Sequence, residues 1–136
     1  MGYVFEEITL KNSNDVSNAM SGIIDEREIR QKTVEALVDT GCFTMVIDEE
    51  LRRELGLRIV GEREVSLADN TTIICKEAEP IDIHWNERST SMRPGVLPKI
   101  DKILLGALPL ENMDLIVDPK FEKLIGRHGD RMLFRI

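Results

Sequence analysis

Apolar residues fall in short runs of at most three along this chain, separated by polar clusters that include Asn, Ser, Asp, Gly and Pro. Val4, Phe5, Ile8 and Leu10 predict a first strand over residues 3–10, and the Asn- and Ser-rich stretch 11–20 predicts a loop. Ile29, Val34, Ala36 and Val38 partly alternate and predict a strand over 29–38. Its polar first half and apolar second half suit a strand that runs from the rim into the core. Residues 48–57 change period. Asp48 can cap a short helix, Glu49 and Glu50 suit its positive end, Leu51 and Leu55 share a face, and Gly56 is a stop. Glu49 and Arg53 stand four apart and can pair for roughly 0.2–0.5 kcal/mol.

Val65-Ser66-Leu67 and Thr72-Ile73-Ile74 flank Ala68-Asp69-Asn70-Thr71, and the Asp-Asn pair suits a hairpin turn. Residues 81–85 alternate as a half-buried strand does. Another strand is predicted over 90–97, where Pro94 fits only an edge or an irregular position. Ile103-Leu104-Leu105-Gly106 predicts a short buried strand, residues 108–113 a turn or two of helix, and Leu115-Ile116-Val117 a strand closed by Asp118-Pro119. Residues 121–125 and 132–136 are predicted terminal strands. With no repeat, low-complexity tract or linker, residues 1–136 are expected to form one all-β domain with one or two short helices.

Composition narrows the possible partners. The net charge of −7 disfavours nucleic acid, whose phosphates demand a basic footprint, and disfavours an anionic membrane surface. A peptide or protein partner, or a small molecule, is left. No run approaches the 18 apolar residues of a spanning helix, and residues 1–20 carry Glu6, Glu7, Lys11 and Asp15 where a signal peptide has its apolar core. The expected location is therefore cytoplasmic, and the sequon Asn70-Thr71-Thr72 is an accidental match. Cys42 and Cys75 lack CxxC spacing, and His84 and His128 are far apart, so no metal site or cofactor is expected.

Candidate chemistry centres on Asp39-Thr40-Gly41, entered by Ala36-Leu37-Val38. This places a carboxylate on a tight turn after a buried strand. One carboxylate cannot be acid and base at once, and the tripeptide occurs once. If the turn is catalytic, the second acid must come from another copy of the chain.

In order and spacing, residues 34–124 resemble the retropepsin-like aspartic proteases, above all the small single-domain ones. The resemblance is carried by Ala36-Leu37-Val38-Asp39-Thr40-Gly41, Ile103-Leu104-Leu105-Gly106 and Met113-Asp114-Leu115-Ile116-Val117-Asp118. It implies a closed-barrel-like β fold, a homodimer, and peptide-bond hydrolysis by a water held between two Asp39 carboxylates, one per subunit. Thr40 would hydrogen-bond across the two-fold axis, and Gly41 would let the backbone turn beside the acids. Leu104-Leu105-Gly106 would pack beneath the turn. Ala68, Asp69, Asn70 and Thr71 would form the flap over an extended substrate, and residues 131–136 would add strands to the dimer interface. Cys42 stands where the family has Ala or Ser, Asn70 where it often has Gly, and residues 1–28 match no motif of it.

Plainer readings stand beside these. Asp39 could be an ordinary turn residue, or the fold could serve as a non-catalytic dimeric peptide-binding or scaffold module. Cys42 and Cys75 read as small, inert, packed thiols, and Trp85 as core. His84 reads as exposed, Asp114 and Asp118 as turn and surface residues, and the acidic clusters as solvated faces.

Overall fold

A computed structural model describes residues 3–136. Eleven strands carry the fold: β1 (Val4–Asn12), β2 (Gln31–Val38), β3 (Met45–Asp48), β4 (Ile59–Ser66), β5 (Thr72–Ala78), β6 (Ile81–Trp85), β7 (Arg88–Met92), β8 (Gly95–Leu97), β9 (Ile103–Leu105), β10 (Leu115–Asp118) and β11 (Lys123–Gly126). Three short helices join them: α1 (Ser13–Met20), α2 (Glu49–Glu54) and α3 (Ala107–Asn112). Nine strands form one sheet in the order β4-β5-β8-β3-β9-β2-β1-β6-β7, curled into a half-barrel, and β10 and β11 pair separately. The all-β expectation holds. The curl closes around a core of Ile8, Leu10, Ala36, Met45, Ile47, Leu55, Leu57, Ile81, Ile83 and Leu105, all buried.

The centre of the sheet explains its other features. β9 lies parallel to β2, pairing Ala36 with Ile103 and Val38 with Leu105, and antiparallel to β3, pairing Met45 with Leu105. It is wedged between the strand that enters the Asp39 turn and the strand that leaves it. Such a central place, with Leu105 buried and Ile103 and Leu104 partly so, suits β-branched and aliphatic residues, and the run reads as continuous apolar sequence. Gly106 follows because the chain must cross close under the turn. A Cβ there would collide with the carbonyl oxygens of Thr44 and Cys42.

Four predicted features differ in the structure. Residues 11–20 are not a loop: β1 runs on to Asn12, and α1 follows. Asn12 caps that helix by accepting from Asp15 N at 3.1 Å, while its own amide donates to Leu55 O at 2.8 Å. The Asn and Ser that read as loop are the capping and first-turn residues of a helix. The strand predicted over 90–97 splits into β7 and β8 at Arg93-Pro94, where Pro94 has no N–H to give a ladder. Residues 132–136 form no strand in the isolated chain, and Leu133 and Phe134 are each about half exposed. Asp114, read as a surface residue, is buried. The α2 expectation holds in detail: Asp48 accepts from Leu51 N at 2.9 Å, Glu49 pairs with Arg52 and Arg53, and Gly56 ends the helix at φ 66.

Two buried acids brace the wall made by α1 and the base of the β4–β5 hairpin. Asp15 takes a two-pronged contact from Arg30 (2.8 and 2.9 Å) and the Arg30 N–H at 3.0 Å. Glu79 takes the Arg58 guanidinium (2.9 and 2.9 Å), the Arg58 N–H at 2.8 Å and the Asn14 amide at 2.8 Å. The Arg58 hydrogen bonds hold the Glu79 carboxyl down at about 2 from its ordinary 4.5, and Arg30 lowers Asp15 likewise.

Because Glu79 binds its proton less readily folded than unfolded, its contribution is complete above about pH 4.5 and is lost as pH falls towards 2. Glu79→Gln is expected to lower stability by about 1–3 kcal/mol at pH 7 and to flatten the fall in stability between pH 5 and 2, read by urea unfolding at each pH. Gly106→Ala is expected to cost about 1–3 kcal/mol in the same measurement, because two backbone carbonyls cannot step aside for a methyl.

Candidate active site

The Asp39 turn is held from below. Asp39 N donates to Leu105 O at 3.0 Å, Cys42 N to Asp39 O at 3.0 Å, and Gly41 N to Asp39 Oδ1 at 3.0 Å. Past the turn, Ala107 N donates to Cys42 O at 2.7 Å and Leu108 N to Phe43 O at 2.8 Å. The end of β9 and the start of α3 therefore grip both sides of the turn through backbone groups, which no side-chain substitution in the turn can replace. Asp39 is half-buried, and Thr40 and Gly41 are exposed. A Cβ on Gly41 would press against Asp39 Oδ1 at 3.3 Å, so glycine leaves room for that carboxylate oxygen beside the turn.

The hairpin of β4 and β5 is registered from Ile59↔Ala78 to Ser66↔Thr72, and residues 67–71 at its tip are all exposed. Asp69 Oδ1 accepts from Thr71 N at 3.0 Å and Thr71 Oγ1 at 2.5 Å, and those bonds hold the Asp69 carboxyl below its usual range. Asn70 takes φ 67, so it supplies the left-handed turn conformation for which glycine is the usual choice. Ala68, Asp69, Asn70 and Thr71 thus form a tight, projecting tip. Below it the hairpin meets the rest of the sheet through Lys76↔Val96 and Glu77↔Gly95 of β8.

Beside the Asp39 turn lies a cavity of about 440 Å3 walled by Tyr3, Val4, Val38, Thr40, Val117 and Pro119. Tyr3 is 73% exposed and Phe121 64% exposed, and Lys102 Nζ stands 4.9 Å from the Phe5 ring centre. β10 pairs only with β11, so its outer edge is open. Tyr3 and Val117 of β10 therefore share this cavity with Thr40.

Sequence reading missed the cluster that anchors the C-terminal stretch. Buried Asp114 Oδ2 takes His128 Nδ1 at 2.7 Å and Leu133 N at 3.0 Å. Buried Arg88 donates to Met113 O (2.9 Å), Asp114 O (2.8 Å) and Gly129 O (2.5 Å). The His128 contact, then the Leu133 N–H, lowers the Asp114 carboxyl against its burial. The only sequence signal was His128 set between Gly126 and Gly129, close to the chain end. His84 is half-buried rather than exposed, and burial, with Lys11 nearby, lowers its pKa. Cys42 is half-buried and Cys75 buried; both are free thiols, and burial raises both pKa values. Among the described residues, no three His, Cys, Asp or Glu gather so as to hold a metal ion.

A family model described as aspartyl protease matches residues 26–82, a span that contains the Asp39 turn and the whole β4–β5 hairpin. No curated protein matches the chain. Among matching solved structures is the EIAV protease complexed with the inhibitor HBY-793, 21% identical, covering 59% of this chain and 76% of its own, with a TM-score of 0.50. At that identity the likeness is one of fold. The chain thus has the curled sheet of the retropepsin fold, and its residues 26–82, across the Asp39 turn and the β4–β5 hairpin, are similar to the aspartyl protease family.

Proposed function

We propose that this chain is one half of an aspartic endopeptidase, and that two copies join to bring their Asp39 carboxylates together. The observation that carries this reading is a half-buried acid without a basic partner, on a turn gripped by backbone hydrogen bonds, with one Asp-Thr-Gly per chain. Two carboxylates about 3 Å apart cannot both ionise, so they hold one proton between them, as the aspartic proteases that serve as the standard illustration of this effect do. The ionised one takes a proton from water, which attacks the peptide carbonyl. The protonated one then donates to the departing nitrogen. Carboxylates supply all the proton traffic, and no covalent intermediate is required.

The surroundings support the dimer. Thr40 is exposed where a partner's turn would meet it, in one cavity with Tyr3 and with Val117 of β10, a strand that pairs on one side with β11. Residues 132–136 carry Met132, Leu133, Phe134 and Ile136 exposed, with a backbone that has no ladder partner in one chain. The β4–β5 tip would close over the substrate, whose extended backbone can pair with it as an added strand would.

Asp39→Asn is expected to reduce cleavage of a peptide library at least about 1,000-fold between pH 4 and 7, while leaving the fold intact by circular dichroism. The same substitution is expected to abolish tight binding of a statine-type transition-state mimic. Unchanged cleavage removes Asp39 from the chemistry; no mimic binding to the wild type favours the non-catalytic module. Deleting residues 131–136 is expected to shift the chain from dimer to monomer in sedimentation velocity, and an unperturbed dimer excludes that segment from the interface.

A further inference from the structure

A second cavity, of about 330 Å3, opens between the β4–β5 hairpin and the chain leaving the Asp39 turn. Phe43 and Thr44 line it from just past Gly41, Val65 from β4, Cys75 from β5, Met92 from the end of β7 and Leu108 from α3. That volume is near the lower end for a small-molecule site, about 300–1,000 Å3, and suits one side chain with its immediate neighbours. Its position follows from the turn. Leu108 N holds Phe43 O at 2.8 Å, so the cavity wall and the Asp39 turn are parts of one rigid backbone assembly. Phe43 is 66% exposed, an aromatic ring turned away from the core at the site where a substrate would pass. Thr44 Oγ1 lies 3.8 Å from Met92 Sδ, which steadies the thioether. Gly95 leaves the floor open, since a Cβ there would stand 3.1 Å from Cys75 Sγ.

The mouth is charged in the sense opposite to the whole chain. Arg63, Lys76 and Arg93 line it together with one carboxylate, Glu77. Glu77 takes Arg63 Nε at 2.8 Å and Arg93 Nη1 at 3.5 Å, so a single acid is shared between two guanidinium groups. In a protein of net charge −7, this is a local excess of positive charge around an apolar hole. Such a pairing of apolar floor and cationic rim selects a ligand with both characters.

We propose that this cavity is the specificity pocket of the site: it takes an apolar side chain of an extended peptide, and its rim favours a carboxylate two residues along on the same face. Side chains of an extended strand alternate, so residues two apart face the same way, about 6.7 Å apart. The flap hairpin sets the peptide's direction, Phe43, Val65, Met92 and Leu108 accept the apolar group, and Arg63 and Arg93 meet the acid. This rests on the endopeptidase reading above, which makes a peptide the occupant.

The test uses the full-length chain and extended peptides varied one position at a time. Cleavage by the wild type is read by fluorescence, and binding to Asp39→Asn by anisotropy. The expected result is a preference for Leu, Met or Phe at one position, with Glu favoured over Lys at least about 5-fold two residues away. That charge preference shrinks in 0.5 M salt and reverses in the double variant Arg63→Glu, Arg93→Glu. Selective binding without cleavage sustains the pocket and sinks the endopeptidase. Cleavage with no preference for apolar or acidic residues, or a preference untouched by the double variant, overturns the pocket and leaves the endopeptidase standing. Neither binding nor cleavage of any peptide overturns both.

Discussion

The hydrogen bond from Asp39 N to Leu105 O is the contact on which the rest of the molecule turns. It exists because β9 is wedged between β2 and β3, parallel to one and antiparallel to the other. A three-residue strand in that position cannot shift without breaking ladders on both sides. The same strand ends at Gly106, where the absence of a side chain lets the backbone pass under the carbonyls of Cys42 and Thr44. From there Ala107 and Leu108 donate to the far side of the turn. A loop of four residues is thereby tied to a central sheet strand, and the backbone that carries the Asp39 carboxylate is fixed by that strand. Preorganisation of that kind is what proton-transfer chemistry needs from a scaffold.

The acids of this chain divide by their partners. Asp15, Glu79 and Asp114 are buried, and each carries a cationic or basic neighbour: Arg30, Arg58, and His128 with Arg127. Those pairs pin helices, hairpin base and C-terminal stretch to the sheet. Asp39 is treated differently. Among the described residues no Lys, Arg or His lies within ion-pair distance of it, and its side chain accepts only the N–H of Gly41. An arginine at that place would fix the carboxylate in its ionised form and spoil any sharing of a proton with a second acid. Asp39 thus differs from the three buried acids that hold the fold in having no basic neighbour.

Local patterns in the sequence carried much of this. Ala36-Leu37-Val38 reads as a strand into the core because its apolar run is continuous, and α2 announces itself through Asp48, two glutamates and Gly56. What escaped depends on distant partners. Residues 13–20 are polar enough to read as loop; they become a helix because Asn12 bonds Leu55 O across 43 residues while capping the first turn. Asp114 looks like any acid ahead of a strand until Arg88, His128 and Leu133 converge on it. The parallel pairing of β2 with β9 leaves no trace in either segment taken alone. Residues 132–136 alternate in sequence as a strand does, and have no ladder partner among the described residues.

A crystal structure of the protein measures the central claim directly, through the separation of the Asp39 carboxylates across a two-fold axis. The account predicts two chains related by that axis, with the nearest carboxylate oxygens about 3 Å apart and the Thr40 hydroxyls meeting between them. A monomer, or a dimer that leaves each Asp39 facing solvent far from its twin, contradicts it.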